Sequence, residues 1–293
     1  MELSHKLSNY HTHSRFCDGK GEIEEYASAA VERNFKYIGF SSHAELPFET
    51  KWTMKPGVFP FYKEAVCSAR KKFAGMLNIF LGLEVDFIPG TASPASEAIK
   101  SLGLDFVVGS VHFLGDPLNS SMWTVDGSRD EFEAGLKNDF GGDIEKLVRE
   151  YYERVRELSL SHTPDILGHF DIVKKNNASG RYFSENEKWY RTTVTETLDA
   201  VRRSGCVMEI NTGGIFRKTS CALYPSEWIL AECRKLGIPL TVNSDAHWPE
   251  AIDGHYFETF RAMRGAGIET YYQFNGSDWK EEPVPNADSL LKS

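Results

Sequence analysis

The sequence predicts an α/β fold, a distorted seven-stranded (β/α) barrel of the TIM-barrel type, and three observations carry that prediction. Short apolar runs alternate with longer amphipathic stretches along the 293 residues, the pattern of βα units around a parallel sheet. About seven such units can be counted, which suits a closed or distorted barrel better than an open sheet. Six of nine histidines fall at or just past the end of a predicted strand, the end where a parallel barrel gathers its functional residues.

The elements follow in order. Buried strands are expected at Tyr37–Phe40, Asn78–Val85, Phe106–Gly109, Ile166–Gly168, Val207–Ile210 and Pro239–Val242. A first strand runs into Asn9-Tyr10-His11-Thr12-His13. Helical periodicity covers Glu22–Asn34, Pro60–Phe73, Ile144–Leu160, Glu185–Arg203 and Pro225–Leu236. Gly205 and Gly237 stand where helices should stop, and Pro225 suits a first helical position. Neither GxGxxG nor GxxxxGK[ST] occurs, so no nucleotide fingerprint supports an open doubly wound sheet. The expectation is one domain over 1–293, with a lid at 113–142 and a polar, peripheral tail from Gly276.

Bulk composition narrows the function. Hydrophobic residues make up 41% and can supply a sizeable core. A net charge of -9 argues against binding nucleic acid or an anionic membrane. A local metal cluster can still attract a phosphorylated substrate. Five scattered cysteines without a CxxC pair read as reduced thiols of a cytoplasmic protein. No apolar run reaches the roughly 18 residues of a membrane span.

The histidines and acids carry the chemistry. His11 and His13, two apart on a strand, point the same way. His43, His112, His169 and His247 occupy other strand ends, and Glu84 is an acid within an apolar run. Burying that acid needs a cation, and a metal is the economical one. Each residue has an ordinary alternative: hydrogen-bonded histidines, Asp18 capping the turn at Gly19, Asp245 capping a helix. Their recurrence at one end of successive strands favours a divalent-metal site with oxygen and nitrogen ligands, leaving zinc, manganese and iron open.

At these residues the chain resembles the PHP (polymerase and histidinol phosphatase) family. The resemblance rests on His11-Thr12-His13 with Asp18-Gly19, His43, Glu84 with His112, and Asp245-Ala246-His247. Gly109-Ser110-Val111-His112-Phe113, Asp165 through Asp171, Glu209 through Lys218 and Tyr224-Pro225-Ser226 are similar to its monofunctional histidinol-phosphatase branch. The resemblance implies a distorted seven-stranded barrel with three divalent ions. His11, His13, Glu84 and Asp245 would hold one ion, Glu84, His112 and His169 a second, and Asp18, His43 and His247 the third.

The implied activity is metal-dependent hydrolysis of a small phosphate monoester, L-histidinol phosphate, to L-histidinol and phosphate, in histidine biosynthesis. Metal ions would neutralise phosphoryl oxygens and lower the pKa of water for in-line attack. Asp245, His247, Glu84 and Arg217 are the expected catalytic residues. Arg217 would clamp a phosphoryl oxygen, and His247 or Asp171 would protonate the leaving oxygen. Glu45, Phe48, Trp52, Trp123 and Asp126 are candidates for holding the imidazole and ammonium of the substrate, Glu45 and Asp126 through charge and the aromatics through ring contacts. Asp86 is a candidate either for the pocket or for orienting a ligand histidine. Two other readings stand beside this one: a PHP phosphoesterase for a nucleotide or sugar phosphate, and a non-catalytic metal-binding barrel.

Overall fold

A computed structural model describes residues 7–115, 122–218 and 222–286. Seven parallel strands form one sheet: β1 (Leu7–Asn9), β2 (Phe35–Phe40), β3 (Asn78–Asp86), β4 (Phe106–Ser110), β7 (Ile166–Leu167), β8 (Val207–Asn211) and β9 (Leu240–Asn243), adjacent in that order. Between them run α1 (Ile23–Glu32), α2 (Phe59–Lys72), α3 (Glu97–Lys100), α4 (Arg129–Phe140), α5 (Ile144–Ser161), α6 (Lys188–Ser204), α7 (Gly213–Phe216) and α8 (Glu227–Leu236), with α9 (Tyr256–Gly265) after the last strand. The sheet curls until its ends meet. Just past β1 and β9, Thr12 and Ala246 form a parallel bridge, with His13 N–H donating to the Ala246 carbonyl at 2.9 Å. This is the expected barrel, nearly closed.

The long strand β3 sets the stagger. It pairs with β2 through Asn78–Leu81 and with β4 through Gly82–Asp86. That shear carries Glu84 to the mouth of the barrel, where it bridges His43. The expected helix stops hold: Gly205 and Gly237 are left-handed, at φ 74° and 67°, a conformation that costs glycine little. Pro225 does not open its helix. It follows a cis peptide bond, and α8 starts at Glu227 behind Ser226.

Two regions differ from expectation. Within the stretch expected as a peripheral tail, Trp279–Pro283 is strand β11, antiparallel to β10 (Thr270–Phe274), and residues 287–293 lie outside the described ones. The hairpin closes the bottom of the barrel. Phe274 and Trp279 pack against Tyr10 at ring distances of 6.4 and 5.6 Å, and Tyr10 Oη donates to the Phe274 carbonyl at 2.8 Å. Three successive charged residues after Trp279 and the closing Pro283 hid this strand from a reading based on polarity. In the stretch 113–142, β5 (Phe113–Leu114) pairs with β6 (Trp123–Thr124) and α4 follows; residues 116–121 of that stretch lie outside the described ones. Among the described residues, no helix is long and apolar enough to cross a membrane.

Candidate metal centre and its surroundings

The nine residues expected as ligands converge at the barrel mouth. His11 and His13 come from the chain after β1, Glu84 from β3 and Asp245 from the turn after β9. His11 Nε2 lies 3.1 Å from Glu84 Oε2 and 3.8 Å from Asp245 Oδ1. His13 Nε2 lies 3.5 Å and 3.1 Å from the same two oxygens. On the other side of Glu84, Oε1 stands 3.0 Å from His169 Nε2 and 3.6 Å from His112 Nε2, and the two imidazole nitrogens are 3.0 Å apart. Toward the rim, Asp18 Oδ2 is 3.2 Å from His247 Nε2, and Asp18 Oδ1 is 4.0 Å from His43 Nε2. His13 and His43 each face two of these clusters. His13 Nδ1 is 3.6 Å from Asp18, and His43 Nδ1 is 2.9 Å from Glu84 Oε2.

Unsatisfied atoms test whether metal ions fit here. His11 Nε2, His13 Nε2, His43 Nδ1, Glu84 Oε2 and Asp18 Oδ1 are buried without a hydrogen-bond partner. Each such atom costs about 1–3 kcal/mol, and such atoms are rare in native proteins. Here they point at one another across a shared space, as lone pairs do around cations. Three overlapping groups of these side chains could hold a metal ion: His13, Asp18, His43 and His247; His11, His13 and Asp245; His43, Glu84 and His112. The donor set is nitrogen and oxygen, as zinc, manganese and iron accept.

The electrostatics agree. Burial pushes the Glu84 carboxyl up, but His11, His43 and His112 outweigh it and hold the group well below the usual range. Asp245 is likewise pushed up by burial and pulled well down by Arg217, His11 and His13. Burial, with His247 and His43 nearby, lowers His13 to about 3, so its ring is neutral and its lone pair available. His112 is lowered by burial and raised more strongly by Asp86 and Glu84, to about 10. An ion arriving there displaces a proton.

Hydrogen bonds behind the ligands fix their tautomers. His11 Nδ1 meets Glu209 Oε2 at 2.9 Å, and His112 Nδ1 meets Asp86 Oδ1 at 2.9 Å. Each carboxylate accepts a hydrogen bond from Nδ1–H, so the neutral ring turns the Nε2 lone pair toward the cluster. Asp245 is left-handed at φ 49°, which turns its carbonyl to within 2.9 Å of His247 Nδ1. Nδ1 also meets Arg217 Nη1 at 3.0 Å, and the ring so held aims Nε2 at Asp18. Ser110 Oγ donates to Glu84 Oε1 at 2.6 Å.

The other expected site residues divide. Arg217 reaches the cluster by way of α7, but its guanidinium is engaged: Nη2 donates to Asp245 Oδ2 at 2.8 Å and Nη1 to the Asp245 carbonyl at 2.9 Å. It thus braces Asp245, and its Nη1 also lies 3.0 Å from His247 Nδ1. A Cβ at Gly213 would stand 3.0 Å from that guanidinium, so glycine permits the approach. Trp52 lies edge-on to His43 and His112 at 4.5 and 5.5 Å and stacks on Phe113 at 5.6 Å. Phe48 meets Phe113 edge-on at 5.6 Å, extending the same aromatic wall. Asp126 lies within Coulombic reach of His112 and His169.

Two placements differ from expectation, and Asp171 is engaged through one oxygen only. Trp123 is buried beneath the rim, donating to Asp139 Oδ2 at 2.7 Å and packing on Phe132 and Phe140; its alternation on β6 turns it to the helix side. Exposed Glu45 spends its carboxylate on Gly57 N–H at 2.9 Å. Asp171 Oδ2 pairs with Lys174 at 2.7 Å and accepts from Ser226 N–H at 3.0 Å, while its buried Oδ1 has no hydrogen-bond partner among the described residues. Glu209 was missed, although it shows the signal that exposed Glu84: an acid within an apolar run.

A nearly closed seven-stranded parallel barrel with clustered imidazoles and carboxylates at its mouth defines a barrel of the polynuclear-metal type. The PHP domain profile matches residues 9–213, and the chain belongs to the PHP domain family. A Deinococcus radiodurans protein described as a probable histidinol-phosphatase is 31% identical over 268 residues, covering 90% of this chain and 95% of that protein. A histidinol-phosphatase of Bacillus subtilis is 27% identical over 265 residues, covering 85% of this chain and 96% of that protein. The fold also matches the histidinol phosphate phosphatase of Lactococcus lactis, solved with zinc, L-histidinol and phosphate, at a TM-score of 0.70 and 22% identity over 94% of this chain and 99% of that one.

Proposed function

We propose that the chain is a metal-dependent histidinol-phosphatase, a phosphoric monoester hydrolase that releases phosphate from L-histidinol phosphate. The observation that carries this reading is the cluster of orphaned, mutually facing donor atoms at the barrel mouth. Near-complete overlap with relatives named for that activity supports the substrate. The expected complement is three divalent ions: one held by His11, His13, Glu84 and Asp245, one by Glu84, His112 and His169, and one by Asp18, His43 and His247. Such ions supply Lewis acidity toward phosphoryl oxygens and lower the pKa of water.

The chain's own residues do the rest. Glu84 gives one oxygen to each side of the cluster, which sets the spacing between them. Arg217 holds Asp245 in its left-handed turn. The Trp52–Phe113 wall covers one side of the mouth and limits water. The whole chain acts as one domain, with the described residues of the 113–142 stretch beside the barrel mouth. The described cysteines Cys17, Cys67, Cys206 and Cys233 are free thiols, which supports a reducing, cytoplasmic setting.

Purified protein should carry two or three metal ions per chain, by elemental analysis. It should hydrolyse L-histidinol phosphate in preference to nucleotides and sugar phosphates. Asp245→Ala should remove metal and lower kcat/KM by at least about a thousandfold. A different preferred ester would discard the substrate and keep the chemistry; unchanged turnover in Asp245→Ala would leave a structural metal site.

A further inference from the structure

The two ends of the curled sheet are not joined as the other strands are. Among the described residues, β1 and β9 stand at opposite ends of the hydrogen-bonded strand order, and a single bridge, Thr12 with Ala246, links the segments beyond them. Three buried side chains fill the seam. Tyr256 Oη lies 2.9 Å from the Ser8 carbonyl and 3.0 Å from the Val242 carbonyl, sharing one proton between the two strands. Asn243 Oδ1 accepts from Tyr10 N–H at 2.8 Å. Asn9 Oδ1 accepts from Ser244 N–H at 3.1 Å and from His11 N–H at 3.2 Å. Its Nδ2 donates to Ser244 Oγ at 2.8 Å and to Thr12 Oγ1 at 3.1 Å.

The two asparagines sit where register matters. With one oxygen, Asn9 holds the N–H of His11 and the N–H next to Asp245. Asn243 holds the N–H next to His11, and its Nδ2 donates to Glu209 Oε2 at 2.9 Å, the same oxygen that meets His11 Nδ1. His11 Nε2 and Asp245 Oδ1 face each other at 3.8 Å, and with His13 they form one of the groups able to hold an ion. A metal site tolerates ligand displacements of only about 0.2 Å. Strand ends without a ladder do not fix distances that finely, whereas amides bonded to both segments do. Both asparagines are completely buried, so water does not replace a bond removed there.

We infer that Asn9 and Asn243 are positioning residues for the metal centre, setting His11 against Asp245 across the barrel seam. The inference rests on the metal-centre reading above and adds residues that act from behind the ligands. The chemistry of their partners makes the two amides unequal. Both partners of Asn9 Nδ2 are hydroxyls, which can turn and donate to a carboxylate, so aspartate can do the work of Asn9. The partner of Asn243 Nδ2 is the Glu209 carboxylate, which has no proton to give, so aspartate at 243 sets two acceptors face to face. An amide that only filled space would be replaced equally well by aspartate at either position.

The test reads zinc affinity of the holoenzyme by chelator competition, with circular dichroism and thermal melting of the metal-free protein as controls for folding. Asn243→Asp should weaken the ion shared by His11, His13 and Asp245, seen as one zinc released about 10–100-fold more readily. Added zinc should restore its hydrolysis of L-histidinol phosphate. Asn9→Ala should behave in the same way, and Asn9→Asp should stay close to wild type. Wild-type affinity in Asn243→Asp overturns the inference, as does an Asn9→Asp variant as weak as Asn9→Ala. Should the variants at one position not fold, those at the other decide. A wild type that binds no zinc fails the metal reading itself, whereas a zinc-binding wild type beside unaffected variants fails only this inference.

Discussion

Each ligand imidazole works only if its far nitrogen is held. Glu209 holds His11 in this way and also accepts from the His169 backbone N–H at 2.7 Å. It is completely buried, with Asn211 and Asn243 donating to it at 2.8 and 2.9 Å. Burial pushes Glu209 up, while His11 and the surrounding hydrogen bonds hold it lower. Glu209→Gln keeps the size but replaces one acceptor by a donor. Metal affinity should fall about 10–100-fold, read by competition with a chelator, while circular dichroism stays native. Unchanged affinity would show that the His11 tautomer is set elsewhere. At this scale the sequence showed the converging histidines and acids well, because metal-type chemistry places unusual residues at strand ends. It hid the division of labour. That Arg217 braces Asp245 across 28 residues is visible only in its bonds.

At the scale of elements, a residue's face decides its role. Trp123 is aromatic and close in sequence to the rim, yet it packs against α4, where a Cβ on Gly135 would stand 2.1 Å from its ring. Trp123→Ala should cost about 3–5 kcal/mol in denaturant unfolding and leave KM for histidinol phosphate unchanged. A raised KM with little loss of stability would restore it as a substrate contact. The β10–β11 hairpin makes the complementary case. Phe274→Ala should also cost about 3–5 kcal/mol, because its ring meets Tyr10, Phe80, Phe106 and Trp279. A loss below about 1 kcal/mol would return the hairpin to the periphery.

The whole molecule buries many groups that ionise in alkali. Burial raises Cys206 from 9.0 to about 11 and holds Tyr10, Tyr62, Tyr151, Tyr152, Tyr190 and Tyr256 well above 10.0. The unfolded chain releases these protons first. Their contribution to stability is therefore complete below about pH 9 and is lost as pH rises through the folded values. The denaturant midpoint should fall steadily from pH 9 to 11, and a flat profile would contradict this burial.

What the sequence determined by itself was the alternation of strand and helix, the barrel class and the histidines and acids that converge at the mouth. Periodicity, glycine stops and metal-type residues are local signals, written within a few positions of one another. The tertiary structure decided the rest. The shear of β3 gives each oxygen of Glu84 its own cluster, and the left-handed Asp245 turn hands its carbonyl to His247. Lys175 and Asn176 reach across 49 residues to fasten Asp126 and Gly127. Contacts between distant segments depend on where the closed barrel brings them, and no local pattern encodes that distance.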